Sequence, residues 1–149
     1  MNEQLYIKNK KAYFEYHVLD EYTAGIKLLG TEIKSIREGK VNLNDAFCTF
    51  ISEQLYVRNL HVSEYSHGSF YNHEAKRDRV LLLNKKELKK LRTRTEEKGF
   101  TIVPLAMFIS ERGFAKLKIG LAQGKKTFDK RETMKERDNK IELSRVMKR

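Results

Sequence analysis

The chain has no tryptophan, one cysteine and one proline among its 149 residues. A single thiol excludes an internal disulfide and any Cys-x-x-Cys redox or metal motif. Cys48 sits in the apolar stretch Ala46-Phe-Cys-Thr-Phe-Ile51 and is expected to pack in the core. The longest apolar run, Ile102 to Ile109, falls far short of the roughly 18 residues of a membrane-spanning helix. Met1 to Lys8 lack the charged start, apolar middle and small-residue cleavage site of a signal peptide, so no membrane association and a cytoplasmic location are expected.

Catalytic signatures are missing as well. Gly120-Leu-Ala-Gln-Gly124 has neither the spacing nor the following Ser or Thr of a P-loop, and no nucleophile elbow or dinucleotide fingerprint occurs. The histidines, His17, His61, His67 and His73, stand at no metal-ligand spacing. Asp20-Glu21 is the one pair that suggests a metal-dependent nuclease, but neighbours along a strand point to opposite faces and no partner acid is identifiable. No enzyme, cofactor or metal site is expected.

What the chain has in excess is positive charge. It carries 31 Lys and Arg against 20 Asp and Glu, a net +11, with a sequence pI of about 9.7. Such a balance attracts densely anionic partners, nucleic acid above all. The length suits one compact domain with extensions.

Along the chain, Tyr13 to Leu29 is rich in aromatic and branched residues and reads as a strand that bends near Ala24-Gly25. After Gly30, Thr31 is placed to N-cap a short helix with Ile33 and Ile36 on one face, stopped by Gly39. Ala46–Ser52 and Leu55–Val62 read as a hairpin turning at Glu53-Gln54. The stretch from Ser63 to Arg79 has no sustained period and reads as a long surface loop. Asn84 with Glu87 forms a capping-box pattern, which predicts a helix from about Lys85 to Glu97 ended by Gly99. Its Lys85, Lys86, Lys89 and Lys90 fit a solvated face or a phosphate-binding one. Phe100–Ser110 and Phe114–Leu121 read as a second hairpin around Glu111-Arg-Gly113. Ala115, Leu117, Ile119 and Leu121 should face inward and Lys116 and Lys118 outward. Pro104 argues for an edge position or a bulge.

Residues 125–149 hold ten basic and five acidic side chains with few apolar ones. Such a tail cannot build a core and is expected to be disordered when free, folding as a helix against a partner. The expected fold is therefore mainly β with flanking helices: a small antiparallel OB-type barrel over residues 1–124 and a basic tail over 125–149.

Three stretches in order along the chain resemble the SsrA-binding (SmpB) protein family. They are Asn9-Lys-Lys-Ala12 with Glu15-Tyr16, Ala24-Gly25, Gly30-Thr-Glu-Ile-Lys-Ser-Ile-Arg37 and Val41-Asn-Leu-Asn-Asp45; Leu81-Leu-Leu-Asn84; and Lys118-Ile-Gly120 with Gly124-Lys-Lys126 and Asp129-Lys-Arg-Glu132. The resemblance implies an OB-type barrel that binds the tRNA-like part of transfer-messenger RNA and delivers it to stalled bacterial ribosomes for trans-translation. It implies that the tail enters the empty messenger channel at the small-subunit decoding centre. It further implies that elongation factor Tu and alanyl-tRNA synthetase act on the same RNA. One monomer per RNA is the simplest expectation.

By the same resemblance, Asn9, Lys10, Lys11, Tyr16, Leu82, Asn84, Lys116 and Lys118 lie at or near the RNA face. Composition alone would bury Leu82, make Asn84 a helix cap and leave Tyr16 open between core and interface. Gly124, Lys125, Lys126, Asp129, Lys130 and Arg131 match the ribosome-engaging segment, and Val146, Met147 and Lys148 its apolar-basic end. Two positions depart from the pattern. Thr23 stands where the family often has an RNA-contacting glutamate, which reduces that contact to at most a neutral hydrogen bond. Phe128 stands where histidine or tyrosine is usual, so it can stack on a base without hydrogen-bonding. The alternative function is a general single-strand nucleic-acid-binding OB protein.

Overall fold

The computed structural model describes residues 5–66, 72–97 and 99–125. In chain order the elements are β1 (Tyr6–Lys8), α1 (Lys10–Glu15), β2 (Tyr16–Ile26), α2 (Gly30–Arg37), β3 (Val41–Asn42), β4 (Phe47–Ile51), β5 (Gln54–Arg58), β6 (His61–Val62), β7 (Arg79–Leu82), α3 (Lys85–Thr95), β8 (Phe100–Ile109) and β9 (Ala115–Gly124). The strands β8-β4-β5-β7-β2-β9 pair antiparallel in that order, and β9 pairs back onto β8. A closed six-stranded barrel results, with β1 added to β8 as an extra strand and β3–β6 as a separate small ribbon. The expected β-rich barrel with flanking helices is what forms.

Alternation along β9 sets inside and outside. Ala115, Leu117, Ile119 and Leu121 are buried against Ile102, Met107, Leu55, Val57 and Leu81, while Lys116 and Lys118 lie outside. Each fully buried Leu or Ile contributes roughly 1.5–3 kcal/mol. The α3 helix turns Leu91 into this core and sets Arg92 over the Phe50 ring and Arg94 over Phe100. Asn84 accepts the Glu87 N–H at 2.8 Å while the Glu87 carboxylate accepts the Asn84 N–H, so the capping box forms as its spacing predicts. The helix ends at Thr95, one turn-fraction earlier than expected.

The β8 strand serves both β4, through Cys48 opposite Ile102, and β1, through Ile7 opposite Met107. A register shift between Pro104 and Ala106 bends it between the two partners. Of the two positions open to Pro104, the bulge is the one used. Asn9 ties this bend down. Its Oδ1 accepts the Ala12 N–H, and its Nδ2 donates to Leu43 O at 3.1 Å and Pro104 O at 2.8 Å. Above it α1 presses Ala12 onto Val103, Leu105 and Ala122 in a second, smaller cluster outside the barrel. Gly120 lies beneath: an added Cβ would sit 2.8 Å from Leu105 Cδ1 and 3.0 Å from Val18 Cγ1.

Several sequence expectations are corrected. Tyr13 to Glu15 are helical, because the Asn9 cap starts α1 despite their β-favouring side chains. The strand that follows breaks register between Val18 and Asp20, not near Gly25. Leu29, not Thr31, precedes α2, and its N–H donates to the Glu32 carboxylate at 2.7 Å. The first hairpin turns at Ser52-Glu53, since Ile51 pairs with Gln54, and Ser52 takes the positive φ of 57° that the two-residue turn requires. Its second strand stops at Arg58, ahead of Asn59 at φ 58°. In that hairpin Cys48 faces the core and Phe47 and Ile51 are exposed.

The stretch read as a surface loop is anchored at both described ends. His73 is buried; its Nε2 donates to Val62 O at 2.9 Å, leaving Nδ1 to accept the Thr31 hydroxyl at 2.8 Å. Arg79 opens β7 fully buried, ion-paired with the equally buried Glu32, and donates to Leu60 O at 2.8 Å and Arg77 O at 2.9 Å. Arg77 donates to the other Glu32 oxygen at 2.6 Å. Burial alone would raise the Glu32 pKa, but the Arg77 and Leu29 hydrogen bonds and the Arg79 charge outweigh it and hold the carboxyl below its ordinary value.

Breaking a buried pair on one side leaves an uncompensated charge and costs about 3–5 kcal/mol. Arg79→Met should therefore lower the urea midpoint strongly. Because the folded pKa of Glu32 lies below the unfolded one, its contribution is complete above the ordinary value of 4.5 and is lost as pH falls through the folded pKa. A Glu32→Gln variant should lose stability at neutral pH and show a shallower further loss in acid; equal acid limbs in urea melts would exclude this role for Glu32.

Candidate nucleic-acid interface

Strand register assembles the outer face. On β9, Lys116 lies opposite Gly25 of β2 on one side and Phe108 of β8 on the other. Gly25 in turn pairs with Leu82 of β7, and Phe108 with Tyr6 of β1. Directly paired residues share a face of the sheet. One row therefore crosses five strands: Leu82, Gly25, Lys116, Phe108 and Tyr6. A second row beside it runs Thr23, Lys118, Ala106 and Lys8.

The rows alternate apolar, cationic and aromatic groups. Leu82 is 49% exposed and lies flat where Gly25 has no side chain; a Cβ there would meet Leu82 Cβ at 3.3 Å. Thr23 is exposed, and Lys116 and Lys118 are partly exposed. Tyr6 stacks on Phe108 with ring centroids 6.1 Å apart and 24° between planes. Lys8 Nζ lies 4.7 Å from the Tyr13 ring centroid, which brings α1 over the second row. Lys118 Nζ contacts Glu21 Oε2 at 3.0 Å, and that hydrogen bond and charge raise the lysine pKa. Burial raises the Tyr13 phenol above its ordinary pKa against the opposing field of Lys118.

Such a face neutralises phosphates through ammonium groups and offers rings and apolar surface to bases and riboses. Of the residues expected at an RNA face, Thr23, Leu82, Lys116 and Lys118 come together on it. Composition would have buried Leu82, and the structure exposes it. Asn84 follows Leu82 around the β7–α3 corner, exposed, with its Oδ1 used in the cap.

The α1 residues separate from this set. Asn9 is only 2% exposed and its side chain points inward, so its place is that of a structural cap and not of a surface contact. Lys10 is exposed at the start of α1. Lys11 and the half-buried Tyr16 line a polar groove of about 350 Å³ with Glu15, Asp45 and Phe47, where Lys11 pairs with Asp45 at 3.3 Å. Tyr6, Lys8, Tyr13 and Phe108 were not anticipated, because only the pairing of strands about 100 residues apart aligns them.

Gly124 ends β9 opposite Tyr16. Lys125 follows, its N–H donating to Glu15 O at 2.7 Å and its Nζ to Tyr13 O at 3.2 Å. The tail positions Lys126, Phe128, Asp129, Lys130, Arg131, Val146, Met147 and Lys148 lie outside the described residues. Among the described residues no group of three or more His, Cys, Asp or Glu could hold a metal ion, and no helix is long and apolar enough to cross a membrane.

Comparison with known proteins gives consistent matches. A family model described as SmpB protein matches residues 6–149. An SsrA-binding protein of Phocaeicola vulgatus is 56% identical over 143 residues, covering 96% of this chain and 95% of the relative. One of Flavobacterium psychrophilum is 56% identical over 142 residues, 95% of each. A solved structure described as "tmRNA-SmpB: a journey to the center of the bacterial ribosome" contains a chain that aligns with a TM-score of 0.70 at 45% identity. The alignment covers 82% of this chain and 85% of that one.

A phosphate-binding lysine contributes about one unit of salt slope. Lys116→Gln should weaken binding of folded RNA and lower that slope by about 1. Glu21→Gln should strengthen binding, since it frees Lys118 and removes a carboxylate from the face. Filter binding from low to moderate salt checks both, and an unchanged slope for the lysine variant would remove Lys116 from the interface.

Proposed function

This chain belongs to the SmpB protein family, and from that premise we propose that it binds the tRNA-like part of transfer-messenger RNA and brings it to stalled bacterial ribosomes for trans-translation. The observation that carries this reading is the extent of the match: one family model covers residues 6–149, barrel and basic tail together. The solved relative, whose printed description couples SmpB with tmRNA and the bacterial ribosome, supports the same partners.

The barrel's part is to choose the RNA. Lys116 and Lys118 meet backbone phosphates, Leu82 lies against a ribose or base edge, and Thr23 supplies a neutral hydrogen bond. Asn84 keeps its Oδ1 for the helix cap, so its Nδ2 is the group left for an RNA acceptor. Lys10, with Lys11 and Tyr16 along their groove, extends the contact around α1.

The tail's part is to report on the ribosome. It departs from a fixed point, because Lys125 is bonded to the C-terminal carbonyls of α1. From there Lys126, Phe128, Asp129, Lys130 and Arg131 engage the decoding centre. Val146, Met147 and Lys148 reach the messenger channel, and the segment becomes helical on entering it. Elongation factor Tu and alanyl-tRNA synthetase join through the shared RNA. The protein acts by binding and not by turnover, as a cytoplasmic monomer.

At fixed salt, folded tRNA-like RNA should outcompete an unstructured oligomer of equal length by at least tenfold; equal competition would favour a general single-strand-binding protein. Deleting residues 125–149 should leave that preference nearly intact and abolish peptide tagging on stalled ribosomes. Undiminished tagging would refute the role given to the tail.

A further inference from the structure

The end of the first row is occupied by a ring that the fold does not need to expose. Tyr6 belongs to a three-residue strand at the margin of the sheet and is 56% exposed. Its neighbour in register, Phe108, is only partly exposed and lies beside it across the strands in an offset-stacked arrangement. A cross-strand aromatic pair stabilises its strands by roughly 0.2–1 kcal/mol, and a Leu at position 6 would satisfy the same packing. Cations flank the pair. Lys116 faces Phe108 along the row, and Lys8, on the same side of β1 as Tyr6, lies over the Tyr13 ring. An exposed aromatic held by a neighbouring ring, with one lysine across the row and another along its own strand, is an arrangement suited to one unpaired nucleobase and its adjacent phosphates.

We propose that Tyr6, held beside Phe108, is a stacking platform for one unpaired or end-exposed nucleobase of the bound RNA, with Lys8 and Lys116 at the adjacent phosphates. This rests on the reading of the outer face as the RNA-binding one and adds to it a base contact at the β1 end. The platform reads the π-face of a base and not its edge, so it recognises the presence of an unstacked nucleotide and not its identity.

The absence of tryptophan from the sequence makes the test direct. Tyr6→Trp introduces a single indole whose emission should be quenched on adding folded tRNA-like RNA, with affinity kept within about twofold of the parent. Tyr6→Leu, which retains apolar packing on Phe108, should bind about tenfold more weakly, the loss expected for one stacked base, while melting at nearly the parent temperature. Parent-like affinity for Tyr6→Leu together with an unquenched indole overturns the platform and leaves the RNA-binding reading untouched. If the parent protein prefers an unstructured RNA, that reading falls, and the same two variants decide the platform on the unstructured RNA. Failure of the parent to bind either RNA removes both.

Discussion

The structure depends on the two-sided pairing of β9. It is bonded to β2 over Tyr16 to Gly25 and to β8 over Phe100 to Ile109, and this closes the barrel. Closure removes two edges that would otherwise offer unpaired N–H and C=O groups. It also fixes the interior. Leu117, Ile119 and Leu121 leave water only because both neighbours hold β9 in this phase, and a one-residue slip would send Lys116 and Lys118 into the core. The same hydrogen bonds align Thr23 with Lys118 and Leu82, through Gly25, with Lys116. Fold and interface are thus two faces of one register.

A second constraint keeps the long connection between β6 and β7 in place. Glu32 of α2 accepts from Arg79 of β7 and from Arg77 on the approach to it, while the Thr31 hydroxyl donates to His73. Two adjacent residues of one short helix therefore hold His73, Arg77 and Arg79 together. Arg79 satisfies the carbonyls of Leu60, Arg77 and Ala75 at the same time. Backbone acceptors in an irregular segment need such partners once buried. Held this way, β7 presents Leu82 outward at the barrel wall and passes directly into the capped start of α3.

Features encoded by local pattern were legible in the sequence. The alternation in β9 and the Asn84–Glu87 cap each follow from residues a few positions apart, whereas Pro104 left an edge and a bulge open until the register of β8 decided for the bulge. The errors came where a distant partner outbids local preference. Tyr13 and Phe14 favour strands, but Asn9, bonded to Leu43 and Pro104, starts a helix there. Thr31 is a good cap by type, yet its hydroxyl is bonded to His73 and Glu32 takes the capping role. Arg79 reads as the end of a surface loop because its counter-charge lies 47 positions away. Within the site, the family motif supplied Leu82, Lys116 and Lys118, which share the outer face, and also Asn9, which does not. Tyr6 and Phe108 have no local signal, since their pairing spans nearly the whole barrel.

The central claim is that one outer face, crossing β7, β2, β9, β8 and β1, is where the barrel meets RNA. Amide resonances followed during titration with folded tRNA-like RNA test it most directly. Shifts should concentrate at Leu82, Thr23, Gly25, Lys116, Lys118, Phe108 and Tyr6, with Arg58 and Asn59 at the far end of β5 unmoved. Shifts confined to the β4–β5 hairpin and α3, with the two rows silent, would contradict it.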